Sequence, residues 1–331
     1  MYIPIIKAKA GDLEAIKFLH NHILQKTRPL IQINSGDGDL EKFVIRINDA
    51  LSARNATIYL DFDNIRGNTE ASLNYINNLI AGIENVEIIP VVNLEIANER
   101  LEIFEPLILQ NGICIRIRPL LDMDIVGKIE LLINNLEIQE HDIDILLDYQ
   151  YVVAGTINEY TQNCLNLLGE LNQFNFRSVA IASGAFLPNL GSIRADTVHE
   201  AIRYEQILYN SINEQVDHNL AFSDYGNQHP ISEGDATKFP PSCSIKYTSD
   251  NAYVIFRGQQ AGNVERGSHQ YFDKAQLLIA HNCYDGPTFS WGDNEIFIKA
   301  TINPQRKPGN GKTWVVITLN RHITKIHSIV N

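Results

Sequence analysis

The sequence predicts an α/β protein: a (β/α)8 TIM-type barrel followed by a C-terminal α+β elaboration. Three observations carry this. Eight short β-rich runs recur roughly every 25 to 40 residues, the stretches between them hold apolar residues at helical spacing, and the alternation stops near residue 226. Eight such units in about 225 residues match barrel spacing. An open doubly wound sheet would carry a Gly-rich dinucleotide fingerprint after its first strand, and this chain has none there.

The runs begin at Tyr2 (YIPIIKA), Pro29 (PLIQIN), Thr57 (TIYLDFD), Val86 (VEIIPVVN), Gly112 (GICIRIR), Asp142 (DIDILLD), Ser178 (SVAIAS) and Leu220 (LAFSDYG). Between them, GDLEAIKFLHNHI and EASLNYINNLIAGI repeat apolar residues at i, i+3, i+4 and i+7, the stripe of an amphipathic helix. Residues 1 to 226 are therefore read as the barrel and 227 to 331 as an elaboration covering its mouth. The second part opens with the Pro/Gly/Ser-containing NQHPISEGDATKFPPS. It continues with two strands around a Ser-Asp-Asn turn (SIKYTSDNAYVIFRG), a helix (SHQYFDKAQLLIAH), a turn-rich CYDGPTFSWGDN and a strand, KTWVVITL.

Composition narrows the function classes. The 331 residues are 44% hydrophobic and 20% charged, with 39 acidic against 27 basic side chains and a net charge of −12. No uncharged apolar run approaches the ~20 residues of a membrane span, and the N-terminus lacks the features of a signal peptide, so a cytoplasmic, non-membrane protein is expected. The acidic balance disfavours direct, non-specific nucleic-acid binding. One modest basic patch is expected from Arg306, Lys307, Lys312, Arg321 and Lys325. The four cysteines show no paired C-x-x-C spacing and read as buried thiols.

Strand alternation predicts which side chains enter the barrel. With Ile58, Leu60 and Phe62 facing the helices, Tyr59, Asp61 and Asp63 point inward; with Ile113, Ile115 and Ile117 outward, Cys114, Arg116 and Arg118 point inward. The same rule places Lys7, Lys9, Gln32, Asn34, Asn93, Glu95, Asp148, Gln150, Ser183 and Asp224 inside or at the mouth, where barrel enzymes keep their chemistry. Four cations then face five carboxylates. That balance fits a functional site, and it also fits a structural ion-pair network.

Two chemistries would use these groups. In one, Asp61, Asp63, Glu95 and Asp148 hold a divalent metal through oxygen ligands while Lys7, Arg116 and Arg118 bind a phosphate or carboxylate, as in phosphoester hydrolysis. In the other, no metal binds and one carboxylate is a general base on an arginine-anchored substrate. A Schiff-base role for Lys7 is a third, weaker reading. The loop from Ser183 to Asn189 offers backbone N–H groups to an anion, although turn chemistry alone explains it better. No nucleophile elbow or H-x-x-x-H spacing occurs. His20 and His22 read as surface residues.

Scattered motifs carry a resemblance: the opening Y-I-P-I-I-K-x-K, S-D-Y-G (Ser223 to Gly226), I-K-Y-T (Ile245 to Thr248), F-R-G (Phe256 to Gly258), F-S-W-G-D (Phe289 to Asp293) and W-x7-H (Trp314 to His322). Together they resemble the beta-protein family of bacterial and phage genomes, over nearly the whole chain. The chain departs from the family pattern at Ser223, where the pattern has glycine, and at Arg321-His322, where it often has two adjacent histidines. The resemblance implies an accessory gene of mobile elements near anti-phage defence genes, and no particular reaction or cofactor. Among the motif residues, Asp224 is expected at the barrel mouth with Arg257, Asp293 and His322 reaching over it, Asp224 and His322 as candidate catalytic residues and Arg257 as a candidate binding residue. Trp291 and Trp314 are expected to pack the appendage. Two functions follow: a hydrolase acting on a phosphorylated or nucleotide-like substrate, using Asn34, Asn93 and Ser183 beside the cations for binding, or a non-catalytic defence component that senses a small anionic ligand or docks a partner defence protein.

Overall fold

The computed structural model describes residues 1–33, 40–63, 65, 69–96, 98–217, 219–231, 242–301 and 307–330. Asn34 and most of the Pro/Gly/Ser-containing stretch after residue 227 lie outside them. The chain runs β1 (Tyr2–Lys7), α1 (Ala10–Lys17), α2 (Asn21–Leu24), β2 (Leu30–Gln32), α3 (Leu40–Leu51), β3 (Thr57–Asp61), α4 (Glu70–Gly82), β4 (Glu87–Val92), α5 (Asn98–Asn111), β5 (Ile113–Ile117), α6 (Ile125–Leu136), β6 (Ile143–Tyr151), α7 (Ile157–Leu171) and β7 (Ser178–Gly184). It continues through β8 (Val198–Ile202), α8 (Tyr204–Asn213), β9 (Ala221–Asp224), β10 (Ile245–Thr248), β11 (Ala252–Phe256), α9 (Gln270–Ile279), α10 (Trp291–Thr301) and α11 (Gly311–Val330).

Strands β1 to β7 and β9 close into a parallel eight-stranded barrel, as the alternation of β-rich and helical runs predicts. The closing seam pairs Tyr2 with Phe222 and Pro4 with Asp224, and the Ser223 hydroxyl donates to the Ile3 carbonyl at 2.7 Å. Two apolar layers follow from side-chain alternation. Ile58, Leu60, Phe62, Ile113, Ile115 and Ile117 pack outward under the helices, whereas Ile5, Leu30, Tyr59, Ile89, Cys114 and Leu146 fill the interior. Helix α3 shows why the outer layer forms: Phe43, Ile47, Ala50 and Leu51 recur on one face and are buried. At α4 the Thr69 hydroxyl caps the helix by accepting from the Ser72 N–H at 3.3 Å.

The appended part is a three-stranded antiparallel sheet, β10-β11-β8, with α9, α10 and α11. Strands β10 and β11 flank the Ser-Asp-Asn turn as expected, but β8 comes from the connection between β7 and β9 and was not foreseen. Trp314 stacks on Tyr271 with ring centroids 5.0 Å apart and Trp291 on Phe18 at 4.0 Å, so both tryptophans do pack this part together and against the barrel.

Several sequence expectations are corrected. KTWVVITL is not a strand; it lies in the first half of α11, which is buried on all sides from Val316 to Ile326 and so lacks the one-sided apolar stripe that marks a surface helix. The single helix over GDLEAIKFLHNHI breaks into α1 and α2. The expected basic patch does not form: Arg321 is wholly buried and Lys325 nearly so, both held by carboxylates, while Lys312 pairs with Glu14 and Arg306 lies outside the described residues. Among the described residues no helix is long and apolar enough to cross a membrane.

Candidate functional site at the barrel mouth

At the C-terminal end of the strands, Arg116 stands at the centre of the interior with both neighbouring carboxylates on it. Its Nε and Nη2 donate to Asp148 Oδ2 at 2.9 and 2.6 Å, its Nη1 donates to Asp61 Oδ2, and Nη2 also donates to the Tyr225 hydroxyl at 2.9 Å. Tyr225 in turn donates to Asp148 at 2.7 Å. All four side chains are buried. The carboxylates are further held by backbone: the Asp63 N–H donates to Asp61 and the Gln150 N–H, at a left-handed φ of 55°, to Asp148. Burial works against the Arg116 charge, yet Asp148, Tyr225 and Asp61 together raise its pKa further still, so the guanidinium is permanently charged.

Nearer solvent a second pair forms. Arg118 Nη2 donates to Asp63 Oδ2 at 3.0 Å and Asn93 Nδ2 to Asp63 Oδ1 at 2.6 Å, with both charged side chains part-exposed. The buried Nε of Arg118 has no hydrogen-bond partner among the described residues. A cavity of about 250 Å³ opens here, lined by Asp61, Asp63, Asn93, Glu95, Arg116 and Arg118. A larger hollow of about 690 Å³ lies on the outer flank between α5 and α6, lined by Glu102, Glu105 and Glu137, remote from these ion pairs. The mouth carries the convergent charge chemistry, and it is the candidate site.

Sequence reasoning places most of these residues correctly. Asp61, Asp63, Asp148, Arg116, Arg118 and Asn93 do converge. Glu95 lines the same cavity but is largely exposed and pairs with Lys128 at 2.9 Å. Among the described residues no three His, Cys, Asp or Glu groups gather as metal ligands would, because each carboxylate of the mouth faces a cation instead. Lys7 ends β1 on the interior side, within electrostatic reach of Asp12 and Lys246, whereas Lys9 is exposed at the start of α1.

Ser183 and Asp224 are corrections. Ala180 and Ala182 face the interior, so Ser183 shares the outer face with Ile181; likewise Asp224 shares the outer face with Phe222. Asp224 meets α11 there: His322 Nε2 lies 2.9 Å from Oδ2, while the Tyr2 hydroxyl and the Gly226 N–H donate to Oδ1 at 2.8 and 3.0 Å. Thr248 Oγ1 lies 2.9 Å from His322 Nδ1. The order Asp-His-Thr is that of a nucleophilic triad, but all three are wholly buried, so this is a clamp between barrel and appendage. Burial alone would raise the Asp224 pKa; the His322 charge and the hydrogen bonds outweigh it and hold the carboxyl below its ordinary value.

Arg257 and Asp293 do not reach Asp224. Arg257 bonds the Leu190 and Gly258 carbonyls and Ser244, while Asp293 accepts from Tyr247 at 2.8 Å and Ser290 at 2.6 Å. Arg321 Nε sits 3.1 Å from Asp293 without hydrogen-bond alignment, its plane sandwiched by Tyr247 and Phe289 at 4.5 Å each. Sequence reasoning missed this cage and a second interior layer at the opposite end of the barrel, where Asp144 accepts from Tyr59, Arg177 and Ser178. Asp144 stands two residues before Leu146 on the same inward face, the alternation signal that would have found it.

The motifs S-D-Y-G, I-K-Y-T, F-S-W-G-D and R-H thus meet at one joint between α11, β10 and the barrel seam. A family model described as Beta protein matches residues 2–328. The chain belongs to the Beta protein family. No curated protein matches the sequence. In this Beta protein family member, then, most of the motif residues hold the appendage to the barrel, while the open charge cluster of the mouth draws on β3, β4 and β5.

Proposed function

We propose that the barrel mouth binds a small anionic ligand and that the chain hydrolyses a phosphorylated or nucleotide-like compound there. Arg118 carries the reading: a guanidinium lining the cavity, with one edge on Asp63 and its Nε unpaired. A buried N–H without an acceptor is costly, and a planar guanidinium suits the paired oxygens of a phosphate or carboxylate. An anion that engages Arg118 competes with Asp63, and the released carboxylate becomes the base nearest the bound group.

Inorganic phosphate titrated by calorimetry, together with turnover of p-nitrophenyl phosphate, tests both halves. Phosphate is expected to bind, with Arg118→Gln weakening it at least about tenfold, a loss of ~1.4 kcal/mol; Asp63→Asn is expected to keep binding and lose turnover. Absence of phosphate binding would sink the proposal. Binding without turnover would favour the non-catalytic reading, in which the mouth senses the ligand for a partner defence protein. The pairing of Asp61 and Asp148 on one arginine, which leaves neither as a free base, supports that second reading.

A further inference from the structure

The outer flank of the barrel holds a groove that the mouth chemistry leaves unused. It runs along α5 and closes on the C-terminal end of α6, with a volume of about 690 Å³. Leu101, Glu102, Glu105 and Leu109 line it on α5, Leu136 and Glu137 on the other side. The α5 residues recur at i, i+1, i+4 and i+8, so they share one face over about two turns, or about 12 Å of helix. Leu109 is 73% exposed, and Leu131, one turn before the lining Asn135 of α6, is 59% exposed. Together with Leu101 and Leu136 they give the groove apolar side chains on both helices.

The carboxylates of this groove have no cation of their own. Glu102, Glu105 and Glu137 are exposed and make no hydrogen bond or ion pair among the described residues. Each of the two helices carries one basic residue, and both are engaged elsewhere. Arg100 donates to the Phe62 and Ile65 carbonyls, and Lys128 pairs with Glu95 at 2.9 Å. One backbone acceptor loses its usual partner as well: Pro106 lies inside α5 and has no N–H for the Glu102 carbonyl four residues back. Three carboxylates and a carbonyl beside exposed leucines call for an occupant that is both apolar and rich in N–H donors. Nucleic acids and acidic bilayers are repelled by such a surface, and so is a second copy of this chain, which brings its own charge of −12.

We propose that the groove between α5 and α6 docks a short basic amphipathic helix of another protein. Apolar side chains on one face of that helix cover Leu109, Leu131 and Leu136, while lysines or arginines along its edges meet Glu102, Glu105 and Glu137. A helix fits better than an extended strand, because neither wall is a sheet edge, whereas two helices present a groove that the side-chain ridge of a third can fill. The face on α5 spans about two turns, so roughly 8–11 residues of the partner make the contact. The groove shares no residue with the Arg118 cavity, so this inference stands or falls apart from the phosphate reading.

Fluorescence anisotropy of the full chain with a labelled leucine–lysine peptide, its leucines at i, i+3, i+4 and i+7, tests this at about 0.15 M salt. The peptide is expected to bind, and Glu102→Gln/Glu105→Gln/Glu137→Gln should weaken it at least about tenfold. Glu41→Gln/Glu159→Gln/Glu214→Gln removes the same charge from exposed sites on α3, on α7 and after α8, and should change the affinity less than about twofold. Leu109→Ser should weaken binding at least about fivefold. A peptide of the same composition with its leucines out of helical register should bind at least about tenfold more weakly. All the substituted side chains are exposed, so the variants should melt with the parent. No binding of the leucine–lysine peptide at about 1 mM would overturn the proposal. Equal losses in the two triple variants would overturn it too, leaving only diffuse attraction to an acidic chain, and so would equal affinity for the out-of-register peptide.

Discussion

Replacing Arg116 with alanine should cost the barrel more than any other single change at the mouth. The guanidinium is the only cation hydrogen-bonded to either Asp61 or Asp148 among the described residues, and all three are at most 4% exposed. Removing one partner of a buried ion pair costs about 3–5 kcal/mol because the remaining charge is stranded. Two carboxylates would be stranded here, but each keeps other donors: Asp61 the Asp63 N–H and Gln32, Asp148 the Tyr225 hydroxyl and the Gln150 N–H. Either can also take up a proton, so the loss should stay within about 3–5 kcal/mol at neutral pH. With an unfolding entropy of ~2.1 cal/mol/K per residue over 331 residues, or about 0.7 kcal/mol/K, Tm should fall by roughly 4–7 °C.

The pH dependence of that loss is the sharper test. In the variant a stranded carboxyl has a folded pKa above its unfolded value of ~3.9, so the native state binds the extra proton between the two and stability declines as pH rises through that window. The deficit against the parent should be widest near pH 7–8 and narrow toward pH 5. Differential scanning calorimetry across that range would measure it. A Tm within about 1 °C of the parent at pH 7, or a deficit that does not shrink on acidification, would refute the ion-pair account.

Asp12 has a folded pKa near 6, raised by burial, so its contribution is most favourable in acid and is lost as pH climbs through 6; Asp12→Asn should raise Tm at pH 8, by up to about 3 kcal/mol of stability, and change little at pH 4. His322→Ala strands the buried Asp224, whose depressed pKa marks stability present above the unfolded carboxylate range and lost only in strong acid. The variant should lose about 2–4 kcal/mol at pH 7, with α11 opened to limited proteolysis, and an unchanged digestion pattern would contradict the clamp. Gly292→Ala would bring a Cβ within 2.3 Å of the Ile317 carbonyl, where α10 crosses α11, and should cost at least about 1–3 kcal/mol in urea unfolding; a neutral result would mean the two helices can slide apart.

The barrel and the inward faces of β3 and β5 were legible because large apolar residues (Ile58, Leu60 and Phe62; Ile113, Ile115 and Ile117) alternate with positions that include Asp61, Asp63, Arg116 and Arg118, and a polarity contrast of period two has a single reading. β7 offers no such contrast. Its interior positions are Ala180, Ala182 and Gly184, so polarity pointed to Ser183 and the true register was hidden. Asp224 obeyed the alternation rule but broke the assumption behind it: a charge can face outward when another element supplies its partner, and that partner stands 98 residues later. Helix α11 was hidden for a related reason, since the β-branched Val315, Val316 and Ile317 favour a strand locally and burial on every side removes the periodicity that would argue otherwise. β8 exposes Val198 and Ile202, and the strand it joins lies some 50 residues downstream.

The Asp224 clamp also bears on how the chain is made. During synthesis the first seven barrel strands and β9 leave the ribosome well before α11 does, and the Tyr2–Phe222 seam can pair as soon as β9 is out. At that moment Asp224 has the Tyr2 hydroxyl and the Gly226 N–H but lacks His322, and the outer side of the seam has Tyr209 of α8 on Phe222 but not yet α11. The nascent barrel therefore waits with an unneutralised carboxylate at its last joint. Translation of roughly a hundred further residues separates closure of the ring from its sealing, an interval in which the buried Asp224 of the finished protein still faces water in place of His322.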